Sequence, residues 1–372
     1  MLKVATFNVE NLFERAKALN MDTFAAGKPI LEAYQRVNTL LQKSEYKPPD
    51  KQKILDGLKA LGLQSSDTGT FAILRQNRGK LVKRPNQGPM QVVADGRGDW
   101  TGWIELRTEA VDEIATRNTA QVIRDIAADV LGVVEAEHRI SLKRFNEDVL
   151  ASVGGTPYEH VMLIDGNDER GIDVGLLARA SAPITTMRSH VDDIRDDRIV
   201  FSRDCPEYEL TLASGATVLL MINHFKSKGF GSQATSNAKR RDQAARVREI
   251  YDARRAEGVE QIVIIGDFND TPDSEPLAPL LKAGSDLQDI SAHDAFEDDG
   301  RPGTFANGTR SQKIDYILLS PALFTRVHRA GVFRKGVWGG KHGDLWEIYP
   351  EMKGPNHAAS DHAVLWAELE VT

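Results

Sequence analysis

A single cysteine in 372 residues excludes two explanations at once. No internal disulfide can form, and no cluster of thiolates can hold a metal. Cys205 lies in SRDCPEY, which supplies no base beside the thiol, so it reads as an ordinary sulfur and not a nucleophile. Long apolar runs are missing too: the longest, Val218–Ile222, suits a strand and falls far short of the roughly 20 residues that cross a bilayer. The first residues, MLKVATF, enter an apolar strand without the basic, apolar and small-residue regions of a leader. As written, the expected location is cytoplasmic, or secreted if a leader has been removed. Excess positive charge is also lacking. A net charge of −7 argues against coating a polyanion, but it leaves room for a local basic groove.

What is present is ordinary globular composition, 41% hydrophobic and 27% charged, without repeats or low-complexity segments. Strand-like runs recur at Lys3–Phe7, Val130–Val134, Val174–Leu177, Val218–Ile222, Ile262–Ile265, Ile314–Leu319 and Ala363–Leu369. Helical patterns lie between them. Asn118–Asp129 places Val122, Ile123 and Ile126 on one face behind an Asn cap, and Ser236–Arg255 turns Val247 and Ile250 inward under a basic outer face. This alternation predicts an α/β or α+β layered domain.

One region breaks the rhythm. Between Glu14 and about Gly98, two helices are expected at Ile30–Lys43 and Asp50–Leu61, the second after a Pro-Pro-Asp start. FAILRQNRGKLVKRP then reads as a hairpin around Asn77-Arg78-Gly79, carrying Arg75, Arg78, Lys80, Lys83 and Arg84 without an acid. With no linker to set it off, residues 14–98 read as an insertion into one catalytic domain spanning 1–372. An insertion leaving the chain just after Asn8 and Glu10 is expected to rim the substrate cleft.

Polar residues gather where the strands end. IIGDFNDTPDS runs from an apolar strand straight into Asp267, Asn269 and Asp270. Other strands deliver Asn8 and Glu10; Glu135 and Glu137; Asp173; Asn223, His224, Lys226 and Lys228; Asp315; and Asp361 with His362. Any one of these can be turn chemistry, since Asp and Asn bond nearby backbone amides. Seven strand ends together are harder to dismiss, because polar groups buried without partners cost stability. Carboxylates and Asn make a hard oxygen site that suits Mg²⁺ or Mn²⁺, with Ca²⁺ also compatible, better than Zn²⁺. With two His and flanking Lys, the set describes metal-assisted hydrolysis of a phosphoester.

TFNVENLF, DVLGVVEAE, INHFKSK, IIGDFND, KIDYILLS and SDHAVLWAEL follow, in order, the signature blocks of the endonuclease/exonuclease/phosphatase superfamily, and the chain resembles its deoxyribonuclease I-like bacterial members. The resemblance implies a four-layer α/β sandwich of two mixed sheets packed face to face between outer helices. It implies Glu135 as the principal metal ligand, supported by Asn8, Glu10 and Asp361. Asp267 resembles the water-activating base, with Asn269 orienting that water. His362 resembles the phosphate-binding imidazole held by Asp315, and His224 matches the second histidine of the deoxyribonuclease I branch. Asp173 is expected to hold His224. Asn223, Lys226 and Lys228 are expected on the substrate, with Arg241 and Gln243 in structural support. The expected reaction is divalent-metal-dependent phosphodiester hydrolysis in nucleic acid, DNA above all, by endonuclease or exonuclease attack. The alternative is a small-molecule or lipid-headgroup phosphoester.

Overall fold

Apolar residues along the central strands alternate between two cores. In the computed structural model, which describes residues 1–21, 24–229, 232–282 and 284–372, Val263 and Ile265 of the strand Ile262–Asp267 face one core, while Ile262 and Ile264 face another. The same period-2 sorting separates Val4 from Ala5 and Phe7 in Leu2–Asn8. Two sheets result. One runs Phe296–Glu297, Val327–Phe333, Val364–Leu369, Leu2–Asn8, Val130–Ala136, Asp173–Ala178, His160–Leu163. The other runs Ile184–Arg188, Glu207–Thr211, Thr217–His224, Ile262–Asp267, Asp315–Leu319, Gln288–Asp289. Both are mixed: Leu2–Asn8 is parallel to Val130–Ala136 and Thr217–His224 to Ile262–Asp267, with antiparallel neighbours.

Val4, Val134 and Leu176 of the first sheet meet Leu220, Ile265 and Ile317 of the second in a shared central core. On the outside, the helix Glu113–Ile126 lays Ala120, Val122, Ile123 and Ile126 on the first sheet. The helix Gln233–Ala256 lays Ala244, Val247, Ile250 and Tyr251 on the second. The architecture is therefore the four-layer sandwich. Cys205 is fully buried in the outer core of the second sheet, and burial pushes its thiol well above the usual range. Among the described residues, no helix is long and apolar enough to cross a membrane.

Local details depart from the sequence expectation. Asp112, not Asn118, caps the first outer helix by accepting from Ile114 N at 2.8 Å. Asn118 lies inside that helix, buried, where its Nδ2 donates to the His357 carbonyl at 2.7 Å. The second outer helix starts behind Ser232.

The chain divides into two compact units, one of Met1–Phe13, Val111–Lys228 and Ser232–Thr372, the other built on Glu14–Ala110. The second unit has its own core, in which Ala33, Val37, Ile54, Leu58, Leu74, Trp100 and Ile104 pack around the helices Phe24–Leu41 and Pro48–Ala60. It extends past Gly98 because Thr101–Leu106 pairs with Ala72–Arg78 and Thr108–Ala110 pairs with Glu14–Ala16. The expected hairpin around Asn77-Arg78-Gly79 does not form. The Gln76 side chain accepts from Leu81 N at 2.8 Å and Val82 N at 3.3 Å, which turns the chain away. Val82–Lys83 then pairs with Gln91–Val92 instead.

Candidate active site

Strand alternation and register bring most of the strand-end residues together. Counting by two from Ile265, Ile222 and Ile317, which face the central core, reaches Asp267, His224 and Asp315 on that same face. The sheet register sets His224 beside Asp267 and Asp267 beside Asp315. In the facing sheet, Val4 leads by the same count to Asn8.

Glu135 breaks this rule. Leu131 and Val133 face the outer core, so simple alternation would send Glu135 outward as well. Instead its backbone is left-handed, with φ 66°, and the pairing with Asp173–Ala178 skips from Val134↔Val174 to Ala136↔Asp173. This is a β-bulge, which re-aims a side chain at the cost of local strain. Its result is a Glu135 carboxylate 3.5 Å from His224 Nε2, the nitrogen that Asp267 Oδ2 approaches at 3.6 Å. Gly266 serves the same end: at φ 131° a Cβ would lie 1.9 Å from the Asn223 carbonyl, so only glycine lets the strand pass there to Asp267.

Hydrogen bonds fix the orientations. Asp267 Oδ1 accepts from Asn269 N at 2.8 Å, and Oδ2 accepts from Asn269 Nδ2 at 2.9 Å and, more weakly, from Asn8 Nδ2 at 3.5 Å. Asn8 Oδ1 accepts from Glu10 N at 3.1 Å. His362 Nδ1 pairs with Asp315 Oδ2 at 2.9 Å, and the same oxygen accepts from Thr304 Oγ1 at 2.6 Å. Asp361 lies beside this imidazole, Oδ1 to Nε2 3.7 Å, with its own side chain half exposed.

The two imidazoles are held in opposite states. Burial works against a charge on His362, but the charge and hydrogen bond of Asp315 prevail and keep its pKa well above the usual value. Burial and the positive charges of Arg203 and Arg170 hold His224 well below it, hence neutral. Asp267 is pushed up to about 7, first by burial and then by Asp315. Crowded acids with oxygen donors and no thiolate fit a hard divalent cation, and Asp267, Asp315 and His362 present ligand atoms within 4.8 Å of one another.

Some expected residues lie elsewhere. Asp173 does not hold His224. Its Oδ1 accepts from Gly166 N at 2.8 Å, burial pushes its carboxyl up to about 7, and His224 Nδ1 has no hydrogen-bond partner. Asn223 is one residue out of phase with His224, so it shares the outer face with Leu219 and Met221 and is fully buried. Arg241 is an exposed partner of Glu275 at 2.7 Å. The supporting arginine is its neighbour Arg240, fully buried, which donates to Asp270 Oδ2 at 3.0 Å and to the Lys226 carbonyl at 2.7 Å. Gln243 accepts from Lys226 N at 2.9 Å, and Lys228 pairs with Asp270 at 2.5 Å.

Sequence reasoning passed over three charged residues. Arg170 grips Asp168 with both arms, Nε to Oδ1 2.9 Å and Nη2 to Oδ2 2.7 Å, and Arg203 Nη2 stands 3.1 Å from Asp168 Oδ2. The signal was NDERGID, a charged loop directly before an apolar strand.

No curated protein matches the sequence. The solved structure of a Bacteroides thetaiotaomicron mannosyl-6-phosphatase is similar at 18% identity and a TM-score of 0.50, covering 69% of this chain and 91% of that one. An endonuclease/exonuclease/phosphatase family protein from the same organism is similar at 19% identity and a TM-score of 0.50, covering 69% and 86%. At such identity the likeness establishes the fold. The family profile described as "Endonuclease/Exonuclease/phosphatase family" matches residues 80–333, more than half of the sequence. The chain therefore belongs to the endonuclease/exonuclease/phosphatase family, whose members are phosphoester hydrolases.

Proposed function

We propose that the protein is a divalent-metal-dependent phosphoester hydrolase with Asp267 as the general base. The observation that carries this reading is the approach of Glu135 and Asp267 to one nitrogen of His224, while Asp315 holds His362 charged. Glu135 and Asn8, with Glu10 and Asp361 nearby, would hold Mg²⁺ or Mn²⁺, which when bound supplies Lewis-acid polarisation of the phosphoryl oxygen. Asp267, aimed by Asn269, accepts the proton of the attacking water. The water oxygen bonds to phosphorus as the ester P–O bond breaks. His362 donates to a phosphoryl oxygen, where negative charge accumulates.

A small or terminal phosphoester is the substrate this chain's charges favour. The basic residues that could track a polyanion along the second outer helix are largely matched by acids: Arg241 by Glu275, Arg246 by Asp193 and Arg248 by Asp252, each at 2.7 Å. In the second unit, Arg75 pairs with Glu105 and Arg84 with Asp67. Nucleic acid, DNA included, is the second reading. Exposed Arg78, Lys80 and Lys83, with the exposed Trp103, support it as a charged and stacking surface.

The test is incubation with Mg²⁺ or Mn²⁺ against a small phosphomonoester, a small bis-phosphodiester, plasmid, single-stranded DNA and RNA. Metal-dependent hydrolysis that EDTA and Glu135→Gln both abolish is expected, fastest on the small esters. Hydrolysis untouched by EDTA would overturn the mechanism, and preferential cleavage of DNA or RNA would select the second reading.

A further inference from the structure

Thr304 is buried in the loop 299–309, where its hydroxyl meets three partners. Oγ1 accepts from Asp315 N at 3.1 Å and from Ile314 N at 3.3 Å, and it lies 2.6 Å from Asp315 Oδ2. A hydroxyl has two lone pairs and one proton. The two backbone amides occupy the lone pairs, so the proton goes to Asp315 Oδ2. At 2.6 Å the contact has the length of a hydroxyl donating to an ionised oxygen. That same oxygen faces His362 Nδ1 at 2.9 Å. Because Oδ2 receives the threonine proton as a carboxylate oxygen, the proton between it and the imidazole sits on Nδ1.

The backbone around Thr304 explains how one side chain serves both partners. Asp315 opens a strand of the second sheet, and His362 stands just before Val364–Leu369 of the first. Residues 304–306 run between the two. On the Asp315 side, Thr304 N and Phe305 N each donate to the Gln312 carbonyl at 3.0 Å. On the His362 side, Ala363 N donates to the Thr304 carbonyl at 2.7 Å and Ala306 N to the Asp361 carbonyl at 2.8 Å. Phe305 and His362 form an antiparallel bridge, with their ring centroids 5.0 Å apart. The loop is itself fastened by the buried Arg334. Its Nη1 donates to the Gly303 carbonyl at 2.8 Å, and its Nε to the Asp299 carboxylate at 2.9 Å. A hydroxyl needed only to satisfy the Ile314 and Asp315 amides has no reason to aim its proton at the oxygen that holds the histidine.

We infer that Thr304 is the positioning residue of the His362–Asp315 pair. It fixes the Asp315 carboxylate in one orientation, and with it the ring plane and the Nδ1–H form of His362. Nε2 is then the imidazole nitrogen that serves the phosphoryl oxygen. Thr304 itself touches no substrate.

The role in turnover rests on the phosphoester reading, but the first test needs no substrate. In proton NMR of the metal-free protein, the Thr304 hydroxyl and the His362 Nδ1–H should both resist exchange with water. They should also show a cross-peak to each other, because both point at Oδ2. Loss of the Nδ1–H signal in His362→Gln assigns it. Thr304→Val keeps the shape of the side chain and removes the hydroxyl, so the Nδ1–H signal should shift or broaden. With metal, its kcat for a small phosphomonoester should fall about 10–100-fold with KM changed little, the usual scale for a group that orients a site residue. Thr304→Ser should restore the signal and most of the turnover. A packing role predicts the reverse, since serine lacks the methyl group and valine keeps it. Should Thr304→Val fail to fold, the cross-peak in the unaltered protein and the serine variant decide. A missing cross-peak, or a valine variant in which either the signal or kcat is unaltered, overturns the inference. A cross-peak in a protein that hydrolyses no phosphoester upholds the positioning geometry and removes the catalytic proposal instead.

Discussion

Asp267→Asn separates catalysis from stability in a way the structure makes quantitative. The carboxylate is fully enclosed, and burial together with Asp315 lifts it from 3.8 to about 7. A raised acid binds its proton more tightly when folded. Its contribution to stability is therefore complete below the unfolded value near 4 and is lost as pH climbs through 7. That lift corresponds to about 4 kcal/mol across the whole window, of which about 3 kcal/mol falls between pH 5 and 8. The amide abolishes that slope. It carries its own penalty, because Asn269 N, Asn269 Nδ2 and Asn8 Nδ2 all donate to this side chain, and an amide nitrogen there would oppose one of them. That mismatch costs about 1–3 kcal/mol at any pH. Denaturant unfolding in EDTA should show the Asp267→Asn variant close to the parent protein in stability at pH 5 and more stable than it by about 1–3 kcal/mol at pH 8, while turnover with metal falls ~10²–10⁴-fold. A stability difference independent of pH would refute the electrostatic account. Near-normal turnover would reduce Asp267 to a turn residue.

Asp315→Asn removes the group that raises His362, so the imidazole should lose its proton at lower pH, and the alkaline limb of the kcat profile should move down in pH. An unmoved limb would detach His362 from catalysis. Gly266→Ala drives a Cβ against the Asn223 carbonyl and should cost several-fold in activity and more than about 1 kcal/mol in unfolding free energy, since φ 131° is strained for any L side chain. An unaffected variant would show that the strand tolerates the shift. Neutralising Arg78, Lys80 and Lys83 together should leave small-ester hydrolysis intact. On duplex DNA it should flatten the salt dependence of binding by up to about 0.9 per lost contact only if nucleic acid is the substrate.

All seven strand-like runs in the sequence are strands in the fold, because apolar segments such as IVII have few alternatives once flanked by polar turns. Among the strands that escaped notice, His160–Leu163, Ile184–Arg188, Glu207–Thr211 and Val327–Phe333 carry polar or charged residues among the apolar ones. Two of these, His160–Leu163 and Ile184–Arg188, lie at sheet edges, where one flank needs no apolar cover. The acids and histidines were legible as types, but faces were not. Nothing local distinguishes Asn223 from His224, and only the count by two from a known core residue separates them. The bulge that turns Glu135 inward leaves no mark in the spacing. Arg170 and Arg203 were invisible for another reason: they lie on loops 33 residues apart that only the folded chain brings to one carboxylate.

The amide of Val111 donates to the carbonyl of Phe13 at 2.8 Å, so the chain leaves the sandwich and re-enters it at nearly the same point. Residues 14–110 are thus a cassette rather than a span of the scaffold. Evolution could acquire or discard such a piece without re-registering a single strand of either sheet. A protein engineer could do likewise, joining the two exit points by a short Gly-containing turn. The same doorway would accept a foreign domain whose termini lie close together. The sandwich then becomes a chassis whose catalytic end and interchangeable attachment can be altered separately.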